Sequence, residues 1–354
     1  MAMLREVLSA ENCECPYKPS RDTTLSLPLL RDVPCLSAVI LSTQHSGLST
    51  SPRREVGLEV LSLLIGSLTL RPYVFFFLMV FLVVSSLHLG YLRTAIMFFL
   101  AWGIAFLSEF SSTRNGFPYG YYEYLDSTRD IELWITNVPF FDSLSYTFIA
   151  YAAYSTALLV YTPVLRRGAD IQLVETHQLR QSLPVALLSV LFFVLLDIIV
   201  DPVAVRGARW FLGQIFRYPE GGLYFGVPLS NFGGWALVGA AIFLVFQGID
   251  RCLVRRGWAM NAGVRHLPAK ALWGPALYYL LLLFNLVMAF LIDEPLLGCV
   301  GLFMVAPVTL ILLTLVVKPA NQATPGELAA HLQDFPGSPL TQWPGPVGIR
   351  HRSR

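Results

Sequence analysis

Charge is what this sequence has least of. Asp, Glu, Lys and Arg make up 14% of the 354 residues, where an ordinary soluble domain carries about 25%. Together with 55% hydrophobic residues and a mean hydropathy of +0.58, that deficit places the burial problem in lipid. The formal net charge is only +2, so nothing points to a nucleic-acid partner. Histidines are few and scattered (His45, His88, His177, His266, His331, His351), which excludes the clustered ligands of a membrane di-iron oxygenase. No P-loop appears, and Gly221-Gly222 and Gly233-Gly234 lack the strand-to-helix context of a dinucleotide site. Cysteines number five (Cys13, Cys15, Cys35, Cys252, Cys299). Cys13-Glu-Cys15 has no second pair to complete a metal site, so they read as incidental thiols. The chemistry expected needs no metal and no cofactor.

Long apolar runs are what the chain does have. Crossing the hydrocarbon takes about 20 apolar residues in a helix. By that ruler the candidates lie near 72–90, 92–110, 143–164, 183–201, 229–247, 272–292 and 296–317. The segment 56–70 is apolar but short, and Arg71-Pro72 separates it from the next run. It reads as an interfacial helix or as the first half of a broken span. The fold class expected is therefore all-α, a polytopic integral membrane helix bundle of about seven spans, with eight as the alternative. Residues 1–54 lack the basic-then-apolar layout of a signal peptide and read as a disordered extension. Residues 55–318 form the membrane domain. The tail 319–354, rich in Pro, Gly and Gln, reads as disordered too.

Basic residues are distributed unevenly. One set of span ends carries Arg93, Arg166, Arg167, Arg180, Arg251, Arg255, Arg256, Arg265, Lys270 and Lys318, and the richer side is expected to be cytoplasmic. Arg53, Arg54 and Arg71 argue mildly the other way. Whichever side is inside, the loops 111–142 and 202–228 fall on one membrane face. The first takes in most of "EFSSTRNGFPYGYYEY" (Glu109–Tyr124), and the second runs into "GGLYFGVPLSNFGGW" (Gly221–Trp235). Both are dense in Gly, Pro and aromatics, and they read as two walls of one site.

Acids in or at the ends of spans are costly and are functional candidates by default. Glu109 is expected at the loop end of the second span. Asp197 and Asp201, in "LLDIIVDP", are four apart and share one helical face, and Pro202 is expected to end that helix. A helix C-terminus disfavours a carboxylate, as do low dielectric and a second carboxylate, so the group is expected to hold a proton usable as an acid. The plain alternative is that each acid reaches water or pairs with Arg114, Arg206 or Arg209. Elsewhere Asp142 is expected to cap the third span, Asp293 and Glu294 to be solvated, and Asn285 to make an interhelical hydrogen bond. The tyrosines of the first loop fit an interfacial aromatic belt equally well.

"FLSEFSSTRNGFPYGYYEY", "LLDIIVDPVAVR" and "GGLYFGVPLSNFGGW" resemble, in that order, the motifs of the carotenoid biosynthesis membrane proteins that include the carotenoid 1,2-hydratases. The resemblance covers most of residues 58–318. Asn137-Val-Pro stands where those hydratases have Gly-Val-Pro, which marks a divergent branch. The resemblance implies addition of water across the terminal double bond of an acyclic carotenoid end, giving a tertiary alcohol. It also implies a lipid-soluble carotenoid substrate and residence in a bacterial or archaeal cell membrane. On this reading Asp197, Asp201 and Glu109 form the acid/base group, Arg114 orients it, and Asn231 holds the water. Phe117, Tyr119, Tyr121, Tyr122, Tyr224 and Trp235 face the cation. The rivals are an isoprenoid or lipid carrier, and a cyclase or isomerase using the same cation.

Overall fold

The computed structural model describes residues 52–258, 266–318 and 321–342. The expectation for most of residues 1–54 therefore lies outside the described residues. Among the described residues seven helices are long and apolar enough to span a membrane: α2 (Pro72–Leu89), α3 (Tyr91–Asn115), α4 (Phe140–Tyr161), α6 (Leu183–Ala204), α7 (Leu229–Arg255), α8 (Trp273–Leu291) and α9 (Pro295–Val317). The shorter apolar α1 (Pro52–Leu70) is joined to α2 by Arg71 alone. The chain is an all-α polytopic bundle, and the strands among the described residues form short two-stranded pairs between helices.

α4 sits at the centre. Every residue from 146 to 159 is buried, and the helix packs against α2, α3, α6 and α8. Its composition explains the position. Ala150, Ala152, Ala153, Ser155, Thr156 and Ala157 are small enough to let neighbouring helices approach. Tyr146, Tyr151 and Tyr154, all buried, supply aromatic bulk to the same core. The outer helices instead leave residues such as Phe99, Leu191 and Phe303 exposed, as lipid contact requires.

Between α3 and α4 the chain forms β1 (Glu123–Tyr124), β2 (Trp134–Ile135) and β3 (Val138–Pro139), and between α6 and α7 it forms β6 (Phe216–Arg217). β1 pairs antiparallel with β6, Glu123 opposite Arg217 and Tyr124 opposite Phe216. The two aromatic loops are thus hydrogen-bonded to each other at one end of the bundle. At the other end β4 (Val164–Arg167) and β5 (Asp170–Leu173) form a hairpin, followed by the short α5 (His177–Arg180).

Three boundaries differ from the sequence expectation. α3 runs on to Asn115, where Gly116 takes the left-handed conformation (φ 80°) and its N–H bonds Ser112 O at 3.0 Å, a common helix stop. Glu109 therefore lies inside the helix, beyond the last turn where the end dipole acts. Pro202 lies within α6, which ends at Ala204. The C-terminal tail is ordered over residues 321–342. α10 (Pro325–Asp334) opens with a reciprocal capping box between Thr324 and Glu327, and its His331 bonds Glu175 O at 2.7 Å. Bulk composition suggested disorder there, but the local Thr-Pro-Gly-Glu signal is a helix start.

Candidate active site

The two paired loops and the ends of α2, α3, α4, α6, α7 and α8 enclose an open-mouthed cavity. Its empty space is about 1000 Å³ with the mouth included. The lower wall is apolar, with Phe77, Ile149 and Leu281 among its residues, and the upper wall carries carboxyl groups and phenols.

On α6, Asp197 and Asp201 project from one face, as the four-residue spacing requires. Asn231, in the first turn of α7, meets both. Its Nδ2 donates to Asp197 Oδ2 at 2.9 Å and to Asp201 Oδ2 at 2.8 Å. Tyr218 adds a hydroxyl to Asp201 Oδ2 at 3.2 Å. Asp201 and Asn231 line the cavity, and Asp197 stands behind them. On α3, Glu109 is 2% exposed and accepts from the Ser143 hydroxyl of α4. One residue earlier on α4, Asp142 accepts from the Tyr124 hydroxyl and also lines the cavity.

Aromatic rings close the space between these acids. Tyr146 and Trp235 stack with centroids 4.4 Å apart and planes 14° apart, and Tyr119 packs against both. Gly234 permits that last contact, since a Cβ there would lie 2.6 Å from Pro118 O and 2.7 Å from Tyr119 Cδ1. Tyr122 touches Tyr124, Phe216 and Tyr218. Burial, and then the Glu109 carboxyl, push the Tyr119 and Tyr122 phenols well above their ordinary range. Burial, followed by Asp142 for Tyr124 and by Asp201 for Tyr218, does the same there. These phenols are hydrogen-bond donors at neutral pH.

Among the described residues none of the four carboxyl groups makes an ion pair, in contrast to the other buried acids. Glu132, 0% exposed, pairs with Arg71 at 3.3 Å. Arg71 also donates to Leu212 O and lies 4.6 Å over the Phe141 ring. Both of those contacts are cavity-wall residues, so a buried cation braces the wall from behind without touching the cavity acids. Among the described residues no three His, Cys, Asp or Glu side chains are grouped as metal ligands would be.

Of the residues expected from the sequence, Asp197, Asp201, Glu109, Asn231, Tyr119, Tyr122 and Trp235 come together here. Four do not. Arg114 is exposed, stacks on Phe110 at 3.4 Å and donates to Phe110 O, because the longer α3 carries it outward past Glu109. Phe117 is 62% exposed and Tyr121 is 48% exposed, with the Tyr121 hydroxyl on Glu123. Tyr224 points away, towards Met304 of α9. Asp142 is no cap, since Pro139 is the N-cap residue and no side chain caps α4. Glu294 is ion-paired with Arg206 and Arg209, and Asn285 bonds Leu281 O of its own helix.

Tyr124, Asp142, Ser143, Tyr146, Tyr218 and the Arg71–Glu132 pair were missed. A weak signal existed for two of them. Asp142 and Tyr146 are four apart at the start of a span, so one helical face carries both towards the loops.

Residues 69–308 match the family model described as carotenoid biosynthesis protein. A bisanhydrobacterioruberin hydratase of Haloarcula japonica (strain ATCC 49778 / DSM 6131 / JCM 7785 / NBRC 101032 / NCIMB 13157 / TR-1) is 33% identical over 150 residues. That alignment spans 42% of this chain and 43% of the relative. No solved structure gives a significant match. The family match takes in all three sequence motifs and every carboxyl group of the cavity, and the chain belongs to the carotenoid biosynthesis protein family.

Proposed function

We propose that this protein hydrates the terminal carbon–carbon double bond of an acyclic carotenoid end group, in a bacterial or archaeal cell membrane. The observation that carries the reading is the meeting of Asp201, Asn231 and Glu109 on one aromatic cavity, with no cation among the described residues in contact with either acid. The family and the hydratase relative support the same direction. The lower wall of the cavity is apolar. It suits the end of a carotenoid, with the rest of the polyene lying in lipid.

Hydration of such an alkene needs a proton donor, shelter for a tertiary cation, and one water. The Asn231-bridged pair of Asp197 and Asp201 is suited to share a proton, as coupled carboxyls do. In the proposed step Asp201 gives that proton to the less substituted alkene carbon. The π electrons form the new C–H bond, leaving positive charge on the tertiary carbon. The ring faces of Trp235, Tyr146 and Tyr122 offer their negative quadrupoles to it. Water then adds its lone pair to the tertiary carbon and releases a proton to Glu109. This divides acid and base work between two carboxyl environments. Return of that proton to the aspartate pair restores the enzyme, and the net change is one water added.

The test is mass spectrometry of pigments from cells that make lycopene or gamma-carotene and express the protein, beside Asp201→Asn. The panel should include bisanhydrobacterioruberin, the compound in the relative's name. Gain of one water, lost in the variant, is the expected result. Unchanged mass across all substrates, with the protein present in the membrane, would retire hydration. An altered absorption spectrum at unchanged mass would then favour the cyclising or isomerising enzyme over the carrier.

A further inference from the structure

A second cavity lies at the opposite end of the bundle. It is formed by the last turn of α2, the β5–α5 connection, the turn Lys270–Leu272 just before α8, and the C-terminal segment folded over them. Its empty space is about 500 Å³. Two cations and one carboxylate line it: Arg180, Lys270 and Glu175. Glu175 is already satisfied on both oxygens, by His88 Nε2 at 2.7 Å and by Arg180. Burial would raise the Glu175 carboxyl, but Arg180 and then His88 pull it well below its ordinary value. Lys270 is half-buried and has no hydrogen bond or ion pair among the described residues.

We propose that this cavity binds a phosphate-type anion, with Lys270 as its principal contact. A half-buried ammonium with no hydrogen bond loses hydration, and the Glu175 carboxylate, already engaged by Arg180 and His88, offsets only part of that loss, which an anionic ligand would correct. His88 and His331 do not supply the missing partner. The first gives Nε2–H to Glu175 and faces the Tyr151 hydroxyl through Nδ1 at 3.1 Å. The second donates Nδ1–H to Glu175 O and accepts from Ser338 at 2.8 Å. The cavity also lies at the end of the bundle that carries exposed Arg166, Arg167, Arg251, Arg255 and Arg256. Basic pockets between spans on such a face recognise acidic lipid headgroups. The shared chemistry is the phosphate group, carried by a lipid or free in solution.

The experiment is thermal unfolding of the full chain in detergent, titrated with phosphatidylglycerol, phosphatidylcholine or inorganic phosphate. Lys270→Gln and Arg256→Gln are run beside the wild type. Phosphatidylglycerol should raise Tm where phosphatidylcholine does not. Lys270→Gln should keep its ligand-free Tm, having lost no internal hydrogen bond, yet need on the order of tenfold more lipid for half the shift. Arg256→Gln should respond like the wild type. A shift with inorganic phosphate but not with the lipid supports the site and assigns a soluble ligand. Equal responses in wild type and Lys270→Gln, or an equal loss in Arg256→Gln, would overturn the proposal.

Discussion

At the basic end of the bundle Glu175 lies between Arg180 and His88, and Asp250 lies on Arg93. At the other end Glu109, Asp142, Asp197 and Asp201 meet hydroxyl groups, one amide and, for the two aspartates Asp197 and Asp201, each other. Both sets are at least half-buried, so solvent does not explain the contrast. A buried carboxylate is tolerated when a cation and further donors hold it, and removing one partner is strongly destabilising. The basic-end acids obey that rule and act as structural ties. The cavity acids are kept away from cations although Arg71 stands just behind the wall. On the proposed function this is the arrangement proton transfer needs, because a fixed cation would hold each acid as its anion.

Four substitutions and a pH change can break or sharpen that contrast. Asp201→Asn should have the largest effect, reducing hydrated pigment at least about a hundredfold while leaving Tm unchanged or raised, as read by pigment mass and thermal unfolding. Glu175→Gln should do the reverse. It leaves Arg180 buried without its carboxylate and should cost about 3–5 kcal/mol of stability, with activity per folded molecule preserved. A Tm loss in Asp201→Asn as large as that in Glu175→Gln would dissolve the distinction. Asn231→Ala removes the one amide both aspartates share and should lower product formation about tenfold to a hundredfold. Arg114→Gln should change product formation by less than about twofold, and a larger loss would return that residue to the site.

The smallest expected effect is local. Burial lowers His331 below its ordinary value, and the unfolded imidazole titrates near about 6.5. Between those values the undocked segment binds more protons than the docked one. Docking of residues 321–342 should therefore be fully stable above about pH 6.5 and weaken as pH falls below it. Faster hydrogen exchange in α10 at acidic pH, corrected for intrinsic rates, is the expected observation. Unchanged protection would mean that the apolar contacts of Leu340 with Leu165 and Val174 hold the segment without help from His331.

The sequence was informative wherever the physics is local or one-dimensional. Span number follows from apolar run length, and the shared face of Asp197 and Asp201 follows from helical period. The meeting of the two aromatic loops follows from counting crossings. Local rules also misled when read singly. Asp142 occupies a position suited to a cap, yet its partner is Tyr124 on a strand 18 residues earlier. Arg114 stands close to Glu109 in sequence, but the extra turn of α3 separates them.

What only the tertiary structure decided is which polar group meets which. Asn231 joins α7 to two acids on α6, Ser143 of α4 reaches Glu109 of α3, and Arg71 crosses to Glu132. Each contact links residues 34 or more positions apart, save Asn231 with Asp201 at 30. No period or propensity encodes such distances. Run length and composition determined that the chain enters a membrane and how often it crosses. Helix packing around α4 determined which acids were given cations and which were left with hydroxyl and amide partners.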